Sequence, residues 1–302
     1  FQRAIELGWT PFDNWSALKK PGNKKPENML FEAIDAKMMQ GVSDAYLKKL
    51  KWIVNNLHKY LNGRIPNPDL LCEFISDGNW SPATSNNIRR HLIALEKELQ
   101  VYGYKGSIKS KIKKYRVTEQ LHKPFKDVNL VFEEILSFDS RLYLCCLLAY
   151  GCLLRPHREI RLLKWEDFAD DLSWVSLSGK MTKSKKNRVV PVPGYIKRIL
   201  ENYKTCHSQP CHNIFSGTSE PYNQYYFTTL WGRYKSKSMV LEGNQTLYSF
   251  RHTGAINVFQ KTGSLTKLQY IMGHSTLQVS LTYLRFLEIN KIDPKDMPDL
   301  NI

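Results

Sequence analysis

Apolar residues recur at helical intervals early in the chain. Leu47, Leu50, Val54, Leu57 and Leu61 share one face behind Ser43, a residue suited to an N-cap. Lys48, Lys49, Lys51 and Lys59 occupy the opposite face. A second helix is predicted from Ser81 to about Tyr102, with Pro82 placed for its first turn. Its stripe is Ile88, Leu92, Leu95 and Leu99, while Asn86, Asn87, Arg89 and Arg90 lie off that stripe. The residues before position 28 are mixed, with Pro11, Pro21, Gly22 and Pro26, and read as a tail.

From about Leu121 the pattern changes. The apolar run from Leu142 to Leu154 contains Gly151 and is too short to span a bilayer, so it reads as a buried helix over 141–150. A break over 151–156 and a further helical stretch to Trp165 follow. Leu172–Ser178 alternates and Arg188–Val192 is β-branched, with a lysine-rich loop between them, which predicts a hairpin with a charged tip. Short helices are predicted over 195–203, 225–234, 252–261, 265–272 and 276–286. The expected fold class is mainly α with a small β-sheet (α+β). A chain of 302 residues favours two domains, here about 28–117 and 118–302, with 1–27 as an N-terminal tail.

Charge alters this picture more than hydrophobic content does. The net charge of +16 draws the protein to phosphate backbones or anionic surfaces, with affinity gained by counterion release. No apolar run is membrane-spanning and no leader with a cleavage site precedes the domains, so nucleic acid is the expected partner and a membrane is not. The segment from Lys105 to Arg116 holds six basic residues and no acidic one, between Tyr104 and Tyr115. A solvated linker and a basic connector between two DNA-contacting domains both fit it, and self-repulsion argues against a buried element. Of the six cysteines, Cys145, Cys146 and Cys152 belong with the apolar helix as small hydrophobes. Cys206-His207 and Cys211-His212 do not have a metal-site spacing, so a reduced, cytoplasmic loop and no metal are expected.

Three blocks near the C-terminus carry candidate chemistry: Tyr248-Ser-Phe-Arg251-His252-Thr253, Ile271-Met-Gly-His274-Ser275 and Leu281-Thr-Tyr283-Leu284-Arg285. Tyr283 follows His274 by nine residues and Arg251 by thirty-two. Upstream stand Tyr150-Gly151-Cys-Leu-Leu-Arg155-Pro156-His-Arg158-Glu159, then Leu163-Lys-Trp165-Glu-Asp167, then Gly179-Lys180-Met-Thr-Lys183-Ser-Lys185-Lys186-Asn-Arg188-Val-Val-Pro191. Each residue alone has an ordinary structural reading. In this order they fit metal-free phosphodiester transfer, in which arginines clamp non-bridging oxygens through paired N–H donors. A phenol with a pKa near 10 can attack if a positive field helps it lose its proton. A lysine can protonate the leaving oxygen.

The set resembles the active site of the tyrosine recombinase, or integrase, family over most of the chain. That resemblance implies a helical core-binding domain and a catalytic domain forming a clamp around DNA, with Tyr283 as nucleophile. It implies catalytic roles for Arg155, Lys180, Tyr248, Arg251 and His274. Arg155 stands four before Glu159 where the family has three, which makes Arg158 a rival. Arg155 is preferred because Pro156 biases it to an extended backbone at the cleft. Lys183 is the alternative to Lys180, and Tyr248 stands where the family usually has histidine. Duplex contacts are expected from Lys48, Asn86, Asn87, Arg90, Lys111, Lys113, Lys114, Lys183 and Lys186. The family implies cleavage and rejoining through a 3′-phosphotyrosyl intermediate, with no cofactor, metal or ATP. It also implies a tetramer exchanging strands through a Holliday junction, with accessory DNA-bending proteins as further partners, in a cytoplasmic, nucleoid-associated protein of bacterial or phage origin. A type IB topoisomerase-like enzyme and a non-catalytic DNA-binding protein are the alternatives, while an RNA-binding role lacks an aromatic ribonucleoprotein motif. Gly8-Trp9-Thr10-Pro11-Phe12 resembles the stretch after an arm-binding domain, and with an opening residue Phe1 it suggests a missing N-terminal module.

Overall fold

In the computed structural model, which describes residues 29–117, 122–204 and 208–284, the chain divides into two units at residues 119 and 120. The first unit is helical: α1 (Met29–Met39), α2 (Asp44–Leu61), α3 (Pro68–Asp77), α4 (Pro82–Leu99) and the single turn α5 (Ile108–Lys111). Side chains of Ser43, Asn67 and Ser81 cap α2, α3 and α4 by accepting from backbone N–H groups of the first turn. The two stripes read from the sequence meet in one core, with Leu50, Ile53, Leu57, Ile88, Leu92 and Leu95 essentially inaccessible. Two further helices complete it, α1 through Leu30 and Ile34 and α3 through Leu71, Phe74 and Ile75. The periodicity of these shorter helices is too brief to stand out in sequence.

The basic segment departs from expectation. The carboxylate of Glu96, itself 3% exposed, accepts from the Tyr104 hydroxyl, the Ser107 hydroxyl and the Ile108 backbone N–H. Ile108 is fully buried, so this stretch is fastened to α4 by one acid and one apolar anchor while its lysines face water. Tyr115 is fixed as well, since the Asn86 carboxamide exchanges two hydrogen bonds with its backbone.

The second unit runs α6 (Val128–Phe138), α7 (Ser140–Gly151), β1 (Trp174–Leu177), β2 (Arg188–Pro191), α8 (Gly194–Tyr203), α9 (Tyr226–Lys235), α10 (Leu247–Thr262), α11 (Leu265–Met272) and α12 (Leu277–Tyr283). The apolar α7 is buried as its composition requires and packs across α10. Gly254 permits that crossing, because a Cβ there would lie 2.1 Å from the Tyr150 carbonyl oxygen. The hairpin is antiparallel, pairing Trp174 with Pro191 and Leu177 with Arg188. Its inward row is Val175, Leu177, Val190 and the arginine Arg188.

Several boundaries differ from those expected. The stretch before Trp165 forms no α-helix but one 3₁₀ turn, Ile160–Leu162, and a second 3₁₀ turn, Trp165–Asp167, follows it. α10 starts five residues before His252, capped by the Thr246 hydroxyl, so Tyr248 and Arg251 belong to its first turns. The tyrosine helix begins at Leu277, one residue later than expected, with Thr276 at its N-cap position. The expected tail, Cys206, His207 and the residues after Leu284 lie outside the described residues. Among the described residues no helix is long and apolar enough to cross a membrane, and no three His, Cys, Asp or Glu side chains cluster as metal ligands.

Candidate active site

The first arginine is placed by a backbone device. After α7 the chain turns at Leu153, whose φ of 51° is left-handed and whose side chain is fully buried beneath Met272 and Leu284. The turn that follows absorbs one extra residue. Ile160 N–H bonds the Arg155 carbonyl and Arg161 N–H bonds the Pro156 carbonyl, both spanning five residues instead of four. Glu159 then folds back, its carboxylate accepting from the Arg155 backbone N–H at 2.8 Å and from its Nη1 at 2.5 Å.

Glu159 is inaccessible to solvent and also accepts from Arg188 Nη2 at 2.7 Å. A buried carboxylate held by two guanidinium groups orients both and balances part of their charge. Arg188 reaches on to the Ile271 carbonyl, and burial still lowers its pKa to about 10 despite Glu159. Gly273, at φ 63°, ends α11 against the Arg188 side chain and frees His274 to turn inward.

Arg251 is completely buried. Its Nη2 donates to the Met272 carbonyl at 3.0 Å, while Nε and Nη1 have no hydrogen-bond acceptor at ordinary geometry among the described residues. Burial lowers its pKa, and the neighbouring Tyr283 phenol acts in the opposite direction. The Tyr283 ring lies between two histidines, 5.0 Å from the His252 centroid and 5.2 Å from that of His274. Burial first, and then Arg251, Arg155 and Arg188, depress the His274 pKa to about 3, so its ring is neutral at pH 7. Its Nδ1 lies 3.0 Å from the Ser280 hydroxyl on α12, which ties the histidine to the tyrosine helix. Tyr248 is half-buried, and burial raises its pKa against the pull of Arg155 and Arg251. Its hydroxyl has no hydrogen-bond partner among the described residues.

A cleft of about 900 Å³ adjoins this cluster, lined by Arg155, Lys183, Lys186, Arg188, Tyr270 and His274 among others, with no carboxylate on its wall. Lys180, the expected proton donor, is not on that wall. It is exposed, and its backbone carbonyl accepts from Arg158 Nη2 at 2.6 Å. Arg158 therefore tethers the hairpin rather than joining the cluster, and Arg155 occupies the place facing Arg251 and His274.

The sequence-named DNA contacts divide similarly. Lys48, Arg90, Lys113, Lys114, Lys183 and Lys186 are exposed, and Lys111 is exposed but pairs with Asp69 at 2.5 Å. The Asn86 carboxamide, expected at the duplex, is engaged by the Tyr115 backbone and braces the basic segment. The Asn87 carboxamide oxygen is buried as well. The parts played by Glu159 and Arg188 were not assigned from sequence, although both stand within the quoted motifs. The signal was available as an acid three to four residues after an arginine and an arginine placed inward on a strand.

Comparison with known proteins identifies the family and the fold. Residues 125–288 match the family model described as the phage integrase family. A tyrosine recombinase of Pseudothermotoga lettingae is 28% identical over 165 residues, which are 53% of this chain and 56% of that protein. The chain thus spans just over half the length of this curated relative. Among solved structures, a lambda integrase dimer bound to a COC′ core site is similar with a TM-score of 0.71 at 16% identity, over 100% of this chain and 87% of that one. A Tn1549 transposon integrase in complex with a circular intermediate DNA gives 0.66 at 17% identity, over 86% and 94%. A lambda integrase tetramer bound to a Holliday junction gives 0.68 at 16% identity, over 91% and 85%. At such identities the likeness speaks for the fold.

Proposed function

Because this chain belongs to the phage integrase family, we propose that it is a site-specific DNA recombinase that cleaves and rejoins strands through a 3′-phosphotyrosyl intermediate. The observation that carries this reading is Arg251, a fully buried guanidinium beside the Tyr283 phenol whose Nε and Nη1 have no acceptor at ordinary hydrogen-bond geometry among the described residues. Such a group is costly unless an anion completes it. A phosphate oxygen is the anion that fits a cleft walled by arginine and lysine.

In the proposed step the Tyr283 oxygen bonds to phosphorus and the bond to the 5′-oxygen breaks. Arg155 and Arg251 hold the non-bridging oxygens, and Glu159 with Arg188 keeps Arg155 in place. The phenol proton passes to the neutral His274 ring, whose affinity for it rises as the phosphate brings negative charge into the site. The 5′-oxygen takes a proton from a hairpin lysine and leaves as a free hydroxyl. Lys183, on the cleft wall, replaces Lys180 in that role. The reverse step religates without ATP because the tyrosyl ester conserves the bond energy.

The same reading has the chain acting as a tetramer on two duplexes, exchanging strands through a Holliday junction, with DNA-bending proteins as accessories. A lambda integrase is solved as a tetramer bound to a Holliday junction and a Tn1549 integrase in complex with a circular intermediate DNA, and the family assignment extends the reading to this chain. The basic faces of both units supply the duplex contacts, and the two-domain division at about residue 118 is part of the proposal.

The test is a nicked duplex carrying a site selected from a random pool, incubated in EDTA without nucleotide. A covalent adduct at the 3′-phosphate that maps to Tyr283 is expected, and Tyr283→Phe should bind the duplex without forming it. An adduct on another residue, or one that needs magnesium, overturns the assignment. Plasmid relaxation without recombinant product would instead favour a topoisomerase.

A further inference from the structure

The mechanism above leaves three adjacent rings unused. The Tyr248 ring stacks on His122, with centroids 5.3 Å apart at 16°, and on another side meets His157 at 5.6 Å and 53°. Both histidines are themselves anchored. His122 Nδ1 is 3.0 Å from the Thr246 hydroxyl that caps α10, and His157 Nδ1 is 3.4 Å from the Thr228 hydroxyl on α9. The His157 carbonyl also accepts from Arg161 Nε. Two separate segments thus converge on one phenol whose own hydroxyl bonds nothing among the described residues.

The placement of His157 follows from the extra residue between Arg155 and Glu159. Without that residue, the five-residue hydrogen bonds from Ile160 and Arg161 would tighten to ordinary ones, rotating the turn that presents His157. Two departures from the family pattern, the longer arginine-to-glutamate spacing and a tyrosine in the histidine box, therefore meet at one contact.

We propose that His122 and His157 are positioning residues that hold the Tyr248 ring so that its hydroxyl donates to a non-bridging oxygen of the scissile phosphate. The proposal rests on the recombinase reading. The chemistry is suited to the site. Arg155 and Arg251 already face Tyr248, so a neutral donor supplies a hydrogen bond without adding a third cation. A phenol turns freely about its ring bonds, and a stacked ring on one side with a tilted ring on another fixes where its O–H points. Burial keeps both histidines neutral, which preserves them as packing partners for the phenol.

The experiment measures the rate constant of adduct formation on the nicked duplex, alongside duplex affinity and thermal melting of each variant. Wild type must form the Tyr283 adduct, and its absence removes the recombinase reading and this proposal together. Tyr248→Phe should slow the reaction roughly a hundredfold with affinity retained, as for loss of one transition-state donor. His157→Ala should slow it about tenfold in the wild-type background but less than about twofold beside Tyr248→Phe, a coupling of the size seen between contacting residues. His157→Phe and His122→Phe keep a ring and should stay within about threefold of wild type, and they serve as the measured pair if alanine lowers the melting temperature. A wild-type adduct with an unaffected Tyr248→Phe rate would overturn the donor role. Equal losses from His157→Ala with and without the hydroxyl, or a His157→Phe as slow as His157→Ala, would overturn the clamp.

Discussion

Each unit of this protein removes a charge from water, and the two are treated oppositely. In the helical unit Glu96 is 3% exposed and its carboxylate accepts three donors. In the second unit Arg251 is 0% exposed and donates to a single carbonyl, with Nε and Nη1 left over. A satisfied buried charge ties chain segments together, whereas a half-satisfied one raises the energy of the free protein and is poised for a ligand. Glu159 stands between these cases, since its bonds are complete but its partners, Arg155 and Arg188, face the cleft. It makes a buried ion pair the support of two guanidinium groups that line the cleft.

The largest expected effect separates the two charges by function. Arg251→Met should lower adduct formation by at least about a hundredfold, because it removes donors aimed at the transition state. It should not lower the melting temperature, because a buried, incompletely paired cation is replaced by an apolar chain of similar length. A variant that melts much earlier yet cleaves normally would reverse the contrast. Arg155→Ala should match the catalytic loss, and Arg158→Ala, which frees only the Lys180 carbonyl, should show a smaller one.

Glu96→Ala is the reciprocal change. Leaving three donors without an acceptor should destabilise the helical unit by about 1–3 kcal/mol, read from the urea midpoint. Cleavage per folded molecule should hardly change. If unfolding is unaffected, the basic segment is not fastened as its hydrogen bonds indicate.

A smaller effect is expected with pH. His252 and His274 are held neutral by burial, with pKa values of about 4 and about 3 against an ordinary 6.5. Between pH 6.5 and 4 the unfolded chain takes up protons that the folded rings refuse, so their contribution is full above about pH 6.5 and declines as pH falls. His274→Asn should flatten that part of the stability curve relative to wild type. Parallel curves would mean that the ring is solvated.

The smallest effect concerns the lysines outside the site. Neutralising Lys113 and Lys114 together should reduce the slope of log affinity against log salt by about two. Lys111 alone should change it less, because Asp69 already pairs with it. An unchanged slope for the pair would place those lysines away from the duplex.

Much of this was legible in the linear sequence. The α2 and α4 stripes, the buried α7 and the β1–β2 hairpin announced themselves because each repeats its apolar period long enough to be read, or has a turn between β-rich runs. Tyr283, His274 and Arg251 were legible because they stand in short blocks at fixed spacing. The helices α1, α3 and α6 were not, since each buries only a few residues over ten or eleven positions. The choice among the hairpin lysines was not legible, because four of them crowd a tip whose φ of 56° at Lys185 turns the chain, and that turn decides which of them faces the cleft.

The sequence by itself determined the element types, the basic character and the kinds of side chain available for phosphoryl transfer, because these follow from local periodicity and composition. Only the tertiary structure decided that Arg155 rather than Arg158 faces Arg251, that Asn86 braces Tyr115, and that His157 lies against Tyr248. Those outcomes depend on the five-residue turn after Arg155 and on contacts between residues dozens of positions apart. Side-chain direction there is set by which buried groups can be satisfied together, a constraint that exists only once the chain has folded.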